Sequence, residues 1–525
     1  MTESRQLSKL ANTLISSFDK HVTESEEKKI SVNPVVAEIA SWYERIRTAM
    51  DYREDEVILR SSIERILKRR FLMGGDGKSV ASPLIRELIW ARYFPDSSVP
   101  ETIITEVEKI IDRYIRLQEL LFSLKALNRN EIREWILQLM SSDIEDVLRP
   151  EKYKELMSNF IYQVFEDDVE ITDDSEDTKN AQVFIAVRRA YAKEDLAFLR
   201  YHLFTQYFGK LTDQNVESVA DHFMEGYQEI QKQLSYSLQD RVYSYIKNQI
   251  SPFYILEDVL RRNKGQSRFL VNDQEELDKQ VTEAANNRYK SIADKVKRAV
   301  IRSVIFIFAT KMIFTLVVEG TFESLIYGKI FWPSIFLNTL APPALMIFAA
   351  VFIKTPGKEN TTKILDKIHK VLYEEKPQLD HKLVIKKAAK KVDPFLDILF
   401  VALWVIAFAI TFGVTIFILT KLHFNIVSQA VFVFFSAIVS FLAYRINQTA
   451  NVYTIKDEKE GIKQVLFDFF FMPFIQAGRN LTMGISQINI FLFLFDYIIE
   501  TPFKSIFAFF EQWFLYLRTQ REKLE

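Results

Sequence analysis

The chain has 525 residues, a net charge of −1 and 26% charged side chains, so no charge bias points to nucleic acid as a partner. It contains no cysteine, which excludes disulfides, thiolate catalysis and cysteine-ligated metal centres. Its near-zero mean hydropathy of −0.02 averages two unlike halves: one rich in Glu, Lys, Arg and Asp up to about residue 298, the other rich in Phe, Ile, Leu and Val.

The start, "MTESRQLSKLANTLISSF", has no apolar core of signal-peptide type, so the first half is expected to stay in the cytoplasm. Residues 1–270 read as one all-helical domain. Apolar residues recur at three- and four-residue spacing in "ILRSSIERILKRRFL", "ETIITEVEKIIDRYIRLQELLFSLKAL" and "PEKYKELMSNFIYQVF". The acidic stretch "EDDVEITDDSEDTKNA" marks a subdomain boundary near 165–180 and reads as a solvated charge run. It lacks the turn glycine and terminal glutamate of a calcium loop. No fixed repeat period is present. "GGDGKS" (74–79) resembles the end of a phosphate loop, but Leu72 stands where the leading glycine belongs and the preceding segment is helical, so it reads as a turn between helices. The six histidines (His21, His202, His222, His369, His381 and His423) form no metal-binding pattern, and no nucleophile-and-base signature occurs. No catalytic, cofactor-binding or metal-binding residue is assigned.

Residues 271–298 read as a stalk helix, capped at Asn272 and running without Pro or Gly into the membrane. Four segments are long and apolar enough to span about 30 Å of hydrocarbon: 299–318, 330–353, 398–420 and 426–443. They form two hairpins, 299–353 and 398–443. Basic residues crowd the approach to the first span (Arg288, Lys290, Lys295, Lys297, Arg298, Arg302) and the loop 354–397. The hairpin tips hold only Lys329 and Lys421. Both termini and the loop are therefore expected in the cytoplasm, at a plasma (inner) membrane.

Lys311 stands inside the first span. An ammonium in hydrocarbon costs about 2.5–3.5 kcal/mol on insertion scales. Glu319, Glu323 and Asn338 lie toward the outer side and are the groups expected to take it up; together these four are the candidate intramembrane polar site. Further polar groups in the spans are Thr411, Thr415, Ser436 and Ser440. In the basic loop, Lys363, Lys367, Lys370, Lys386, Lys387, Lys390 and Lys391 are the candidate contacts for anionic lipid, at about 1 kcal/mol each near such a surface. "VDPFLDILF" (392–400) matches only the tail of the aspartate motif of phospholipid-synthesising alcohol phosphotransferases; the Asp-x-x-Asp-Gly-x-x-Ala-Arg half is absent, and Asp393 reads as a helix start. Residues 444–525 are dense in Phe but interrupted by charge, and read as in-plane amphipathic helices beneath the spans, with a fifth span at 484–499 as the alternative.

The expected fold is thus all-α. It is a polytopic helical membrane protein with four spans as two hairpins, a large N-terminal cytoplasmic helical domain, a long stalk helix and C-terminal in-plane amphipathic helices. The favoured function is an integral membrane scaffold that presents its helical domain to a protein partner. An oligomeric channel or transporter with a cytoplasmic regulatory domain is the alternative, and a lipid-processing membrane enzyme is third. The partners expected are the anionic inner leaflet, a protein bound through the N-terminal domain and, in the channel reading, further copies of the chain.

Overall fold

The structure is a computed structural model describing residues 6–19, 28–50, 57–72, 74–125, 127–172, 174–328, 332–386, 394–455, 462–487 and 501–522. Helix dominates, and the strands among the described residues are two three-residue segments, Val169–Ile171 and Leu383–Ile385. The fold is all-α, as its hydrophobic periodicity implies. The chain divides into two compact units. One comprises Met1–Asp19, Ile171–Asp173 and Asn248–Ile488; the other comprises Lys20–Glu170, Asp174–Lys247 and Asn489–Glu525. Residues 1–270, one domain by sequence, contribute to both.

The second unit is a stack of amphipathic helices around a large apolar core. Helix Thr102–Leu124 shows how the sequence dictates it. Val107, Ile110, Ile111, Tyr114, Leu117 and Leu121 fall on one stripe and are all buried, and the helix stops where Lys125 turns left-handed at φ 52°. Helix Gly77–Trp90 packs against it. Asp76 caps that helix, accepting from Ser79 N while Ser79 Oγ accepts from Asp76 N. Gly77 is required there, because a Cβ would lie 2.5 Å from the Glu108 carbonyl oxygen. Helix Thr501–Glu522 also belongs to this unit, with Phe507 in the core and buried Glu511 accepting from Arg86 Nη1 at 3.1 Å.

The first unit is built on one helix, Gln274–Phe314, which continues through a π-helical turn at Thr315–Glu319 into Gly320–Tyr327. Its N-cap is Asp273, one residue beyond the cap expected from sequence, with Oδ1 accepting from Glu276 N. The stalk portion is not a free-standing rod. Leu277, Val281, Ala284, Ala285, Tyr289 and Ile292 are buried beneath helices Ser251–Arg262 and Lys358–Tyr373. Arg288 Nη2 donates to Asp258 Oδ1 at 2.6 Å, and Asn360 Nδ2 reaches both Tyr289 OH (2.8 Å) and Tyr453 O (2.7 Å).

Among the described residues four helices are long and apolar enough to cross a membrane: Gln274–Ile326, Ile335–Phe352, Ile398–Lys421 and Ile426–Ala450. They turn large apolar side chains such as Ile305, Val351, Phe400 and Phe417 outward, as hydrocarbon-facing helices do. Helix Ile462–Gln487 lies along the third and fourth of them. Phe474 meets Phe412 at 4.9 Å between ring centroids, and Gly478 sits so close that a Cβ would be 2.0 Å from Ala437 O. The glycine at the contact lets two backbones meet, which a count of the segment's charges does not reveal. Of the alternative span at 484–499, residues 488–499 lie outside the described residues.

Candidate functional site

The first membrane helix carries Lys311, and two turns later Glu319 and then Glu323. Helical side chains lean toward the N-terminus, so Glu319 leans back while the long Lys311 stem reaches forward. The π-turn at Thr315–Glu319 alters the phase between them. Lys311 Nζ and Glu319 Oε1 meet at 2.6 Å with both side chains at 0% exposure.

Two other helices close the cluster. From the second span, Asn338 Nδ2 donates to Glu319 Oε2 at 2.6 Å and to Ser428 O at 3.2 Å. From the fourth span, Ser428 Oγ donates to Glu319 Oε2 at 3.2 Å, and the ring of Phe435 lies 5.2 Å from Lys311 Nζ. Glu319 thus accepts from one charged and two neutral donors, the requirement for burying a carboxylate. Buried Glu323 accepts from Asn425 Nδ2 at 2.7 Å, while Asn425 Oδ1 caps the fourth span through Ser428 N. The four candidate residues named from sequence are therefore brought together.

Asn425, Ser428 and Phe435 were not singled out. The Asn-x-x-Ser spacing at 425–428 is a helix-cap signal that marks Asn425 and Ser428 as the start of the fourth apolar helix. Thr339 Oγ1 donates to Thr315 Oγ1 at 3.1 Å, a further tie between the first two spans. Thr411 and Thr415 stand apart from the cluster; Thr411 bonds Phe470 O. Asn338 Oδ1 and Ser436 Oγ are buried without a hydrogen-bond partner among the described residues. On one side of the cluster a cleft of about 340 Å³ opens between Thr315, Gly320, Thr321, Ser324 and Trp332. On the other side, Ile307, Met346, Val439 and Ile446 form an apolar layer.

In the basic loop, Lys363, Lys367 and Lys370 lie on helix Lys358–Tyr373 and are half-buried, with Lys363 against Glu359 and Lys370 against Asp366 at 3.4 Å each. Lys386 is exposed beyond the strand Leu383–Ile385. Lys387, Lys390, Lys391 and Asp393 lie outside the described residues.

In the second unit two groups of polar side chains bear on function. Glu155, Glu194 and His202 converge closely enough for a metal ion, but the Arg188 guanidinium fills the space between them. It is bidentate to Glu155 at 2.7 and 2.8 Å and donates through Nε to Glu194 Oε2 at 3.1 Å. Burial would raise the Glu194 carboxyl, yet Arg188 and His202 hold it below its usual value. A cation is already in place, so the cluster is a salt-bridge knot rather than a metal site. Glu145 is different: burial pushes it up to about 8 against the pull of Arg60 and Arg149, and its Oε2 has no hydrogen-bond partner among the described residues. At the glycine-rich turn, Gly77 N donates to Asp112 Oδ1 at 2.8 Å, so a carboxylate of the chain itself occupies the helix start where a phosphate would bind.

No protein-family model matches the chain, and comparisons with characterised proteins and with solved structures likewise find no match.

Proposed function

We propose that the chain is an integral membrane scaffold whose helical unit binds a protein partner in the cytoplasm, with both termini on that side of a plasma (inner) membrane. What supports this best is the way the intramembrane charges are used. Lys311 and Glu319 satisfy each other, Asn338 and Ser428 complete the carboxylate's bonds, and an apolar layer closes one side of the cluster. A charge cluster that serves passage needs polar continuation on both sides. One that locks helices needs only internal partners, which is the pattern present.

The asymmetry of Lys and Arg along the chain supports the orientation. Lys386 and the half-exposed Lys363, Lys367 and Lys370 add attraction to an anionic leaflet. The channel or transporter reading draws on the cleft beside Thr315 and on the unbonded Asn338 Oδ1, but it requires a route through Ile307 and Met346.

The test is crosslinking of the full chain in its native membranes, read by mass spectrometry. A stoichiometric protein crosslinked to residues 28–247 supports the scaffold. Crosslinks confined to the hairpins of identical copies, with a flux abolished by Lys311→Met, overturn it.

A further inference from the structure

The second unit turns an aromatic face outward. On helix Thr501–Glu522, Phe507, Glu511 and Phe514 point into the unit, at i, i+4 and i+7. The opposite arc holds Ile506, Phe509, Phe510, Trp513, Tyr516 and Leu517, all 44–62% exposed. At 100° per residue these six cover roughly 120° of the helix, a continuous apolar stripe. Helix Pro34–Met50 packs beside it and exposes Val35, Ile39 and Trp42 at the same helical spacing. Exposed apolar stripes of this kind on a folded unit mark a surface that meets a partner or a membrane.

We infer that this two-helix face lies on the bilayer surface, with its aromatic side chains in the headgroup region. The covalent chain supplies the first reason. Helix Ile462–Gln487 is packed along two membrane-crossing helices, and residues 488–500 can extend no more than about 45 Å. Thr501 is therefore tethered within that distance of a bilayer-embedded helix, so lipid is at very high local concentration for this face. Composition supplies the second. Trp and Tyr beside Phe and Leu are the residues that partition to the membrane–water interface. The face is specified by helices far apart in sequence, so it exists only once the unit has folded. The inference rests on the spans lying in a bilayer and not on the scaffold reading.

The absence of native cysteine makes the test direct. Single cysteines replace Trp42, Phe509 or Trp513 in the full chain, with Glu106→Cys and Glu225→Cys as exposed controls in the same unit. Each is nitroxide-labelled and reconstituted in vesicles containing anionic phospholipid. The three face positions are exposed, so substitution leaves the packing intact, and an unaltered gel-filtration profile checks this. The expected result is that dissolved oxygen relaxes the three face labels several-fold more strongly than a soluble nickel chelate, with the order reversed at both controls. Nickel dominance at all five positions overturns the inference, because the face is then wet. Protection of the face from both reagents also overturns it, because protein then covers the face, and spin–spin broadening shows whether that protein is a second copy. Brominated lipid gives an independent readout: quenching of tryptophan fluorescence must fall in Trp42→Phe/Trp513→Phe relative to the parent, and unchanged quenching counts against the inference.

Discussion

Replacing Lys311 and Glu319 singly and together tests whether the buried pair is a lock. Lys311→Met keeps the stem but leaves the Glu319 carboxylate with only the neutral donors Asn338 and Ser428. Glu319→Gln keeps an acceptor of the same shape but leaves the Lys311 ammonium with the Phe435 ring. An uncompensated charge in the membrane interior costs about 2.5–3.5 kcal/mol on insertion scales, and breaking a buried pair costs about 3–5 kcal/mol. Each single variant should therefore lose about 3 kcal/mol, roughly a hundredfold in the unfolding equilibrium. The double variant Lys311→Met/Glu319→Gln has no charge to bury and retains the neutral hydrogen bonds. It should fall within about 1 kcal/mol of the parent, because neutral replacements of buried pairs are often close to neutral in stability. The assay is reversible unfolding of the full chain in bicelles, with all four proteins measured at one pH. Additive losses in the double variant, or silent single variants, would refute the lock and return the ammonium to the pool of groups available to a transported ion.

Glu145 gives the helical unit a pH dependence of unusual sign. Its folded value is raised to about 8 from an ordinary 4.5, so the folded unit holds a proton that the unfolded chain releases between those values. Stability must fall as pH rises through that window, by up to about 3 kcal/mol at pH 7. Glu145→Gln should therefore slow amide exchange in helix Arg129–Leu148 at pH 8 and leave it unchanged at pH 4; parallel pH profiles for parent and variant would count against this. At Gly478, even alanine meets the Ala437 carbonyl. Gly478→Ala should cost about 1–3 kcal/mol through overpacking, read by thermal unfolding in detergent, and a Gly478→Leu variant with parental stability would remove helix Ile462–Gln487 from the fourth span. For orientation, Ser324→Cys should label from outside intact cells, and Glu359→Cys only after permeabilisation. Glu359 serves better than the neighbouring Asn360, which is buried against Tyr289 and Tyr453.

Much of the membrane half was legible because its signal is one-dimensional. A run of some twenty apolar residues has few alternatives to a helix at the crossing lengths seen here. The partner of Lys311 was legible for a related reason: an ammonium in hydrocarbon needs an acceptor, and Glu319, Glu323 and Asn338 were the few within reach. Ser428 and Asn425 were not, because what brings them there is the packing of the fourth span against the first. No spacing in the chain encodes that approach. The same limit explains Gly478, whose role depends on a backbone contact with Ala437, and the knot of Glu155, Arg188, Glu194 and His202, whose members come from two α-helices, a π-helical turn and the loop that follows it. The division of residues 1–270 between two units was hidden because the short helices Lys9–Phe18 and Ser251–Arg262 carry the same kind of apolar stripe as those of the larger stack. Amphipathicity tells which face is buried, not against what.

The position of the polar cluster along its helix bears on why a charge pair is present where apolar side chains would pack as well. Membrane helices gain little from hydrophobic burial against one another, since lipid is equally apolar, so rotation about their own axes is weakly determined by burial. Lys311 and Glu319 point to Asn338 and Ser428 on two other spans at one rotational setting of the first span only. That span is the continuation of the helix whose other end carries Arg288 and Tyr289, held by Asp258 and Asn360. A turn of 100°, one residue's worth, would withdraw Tyr289 from Asn360 as surely as it would withdraw Glu319 from Asn338. The two polar anchors, 22 positions apart from Tyr289 to Lys311, therefore fix the same rotation from both ends of one rigid element. If so, Asn360→Ala should loosen the membrane end: amide exchange near Glu319 should rise together with exchange near Tyr289. Exchange that rises only near Tyr289 would show that the two anchors act separately.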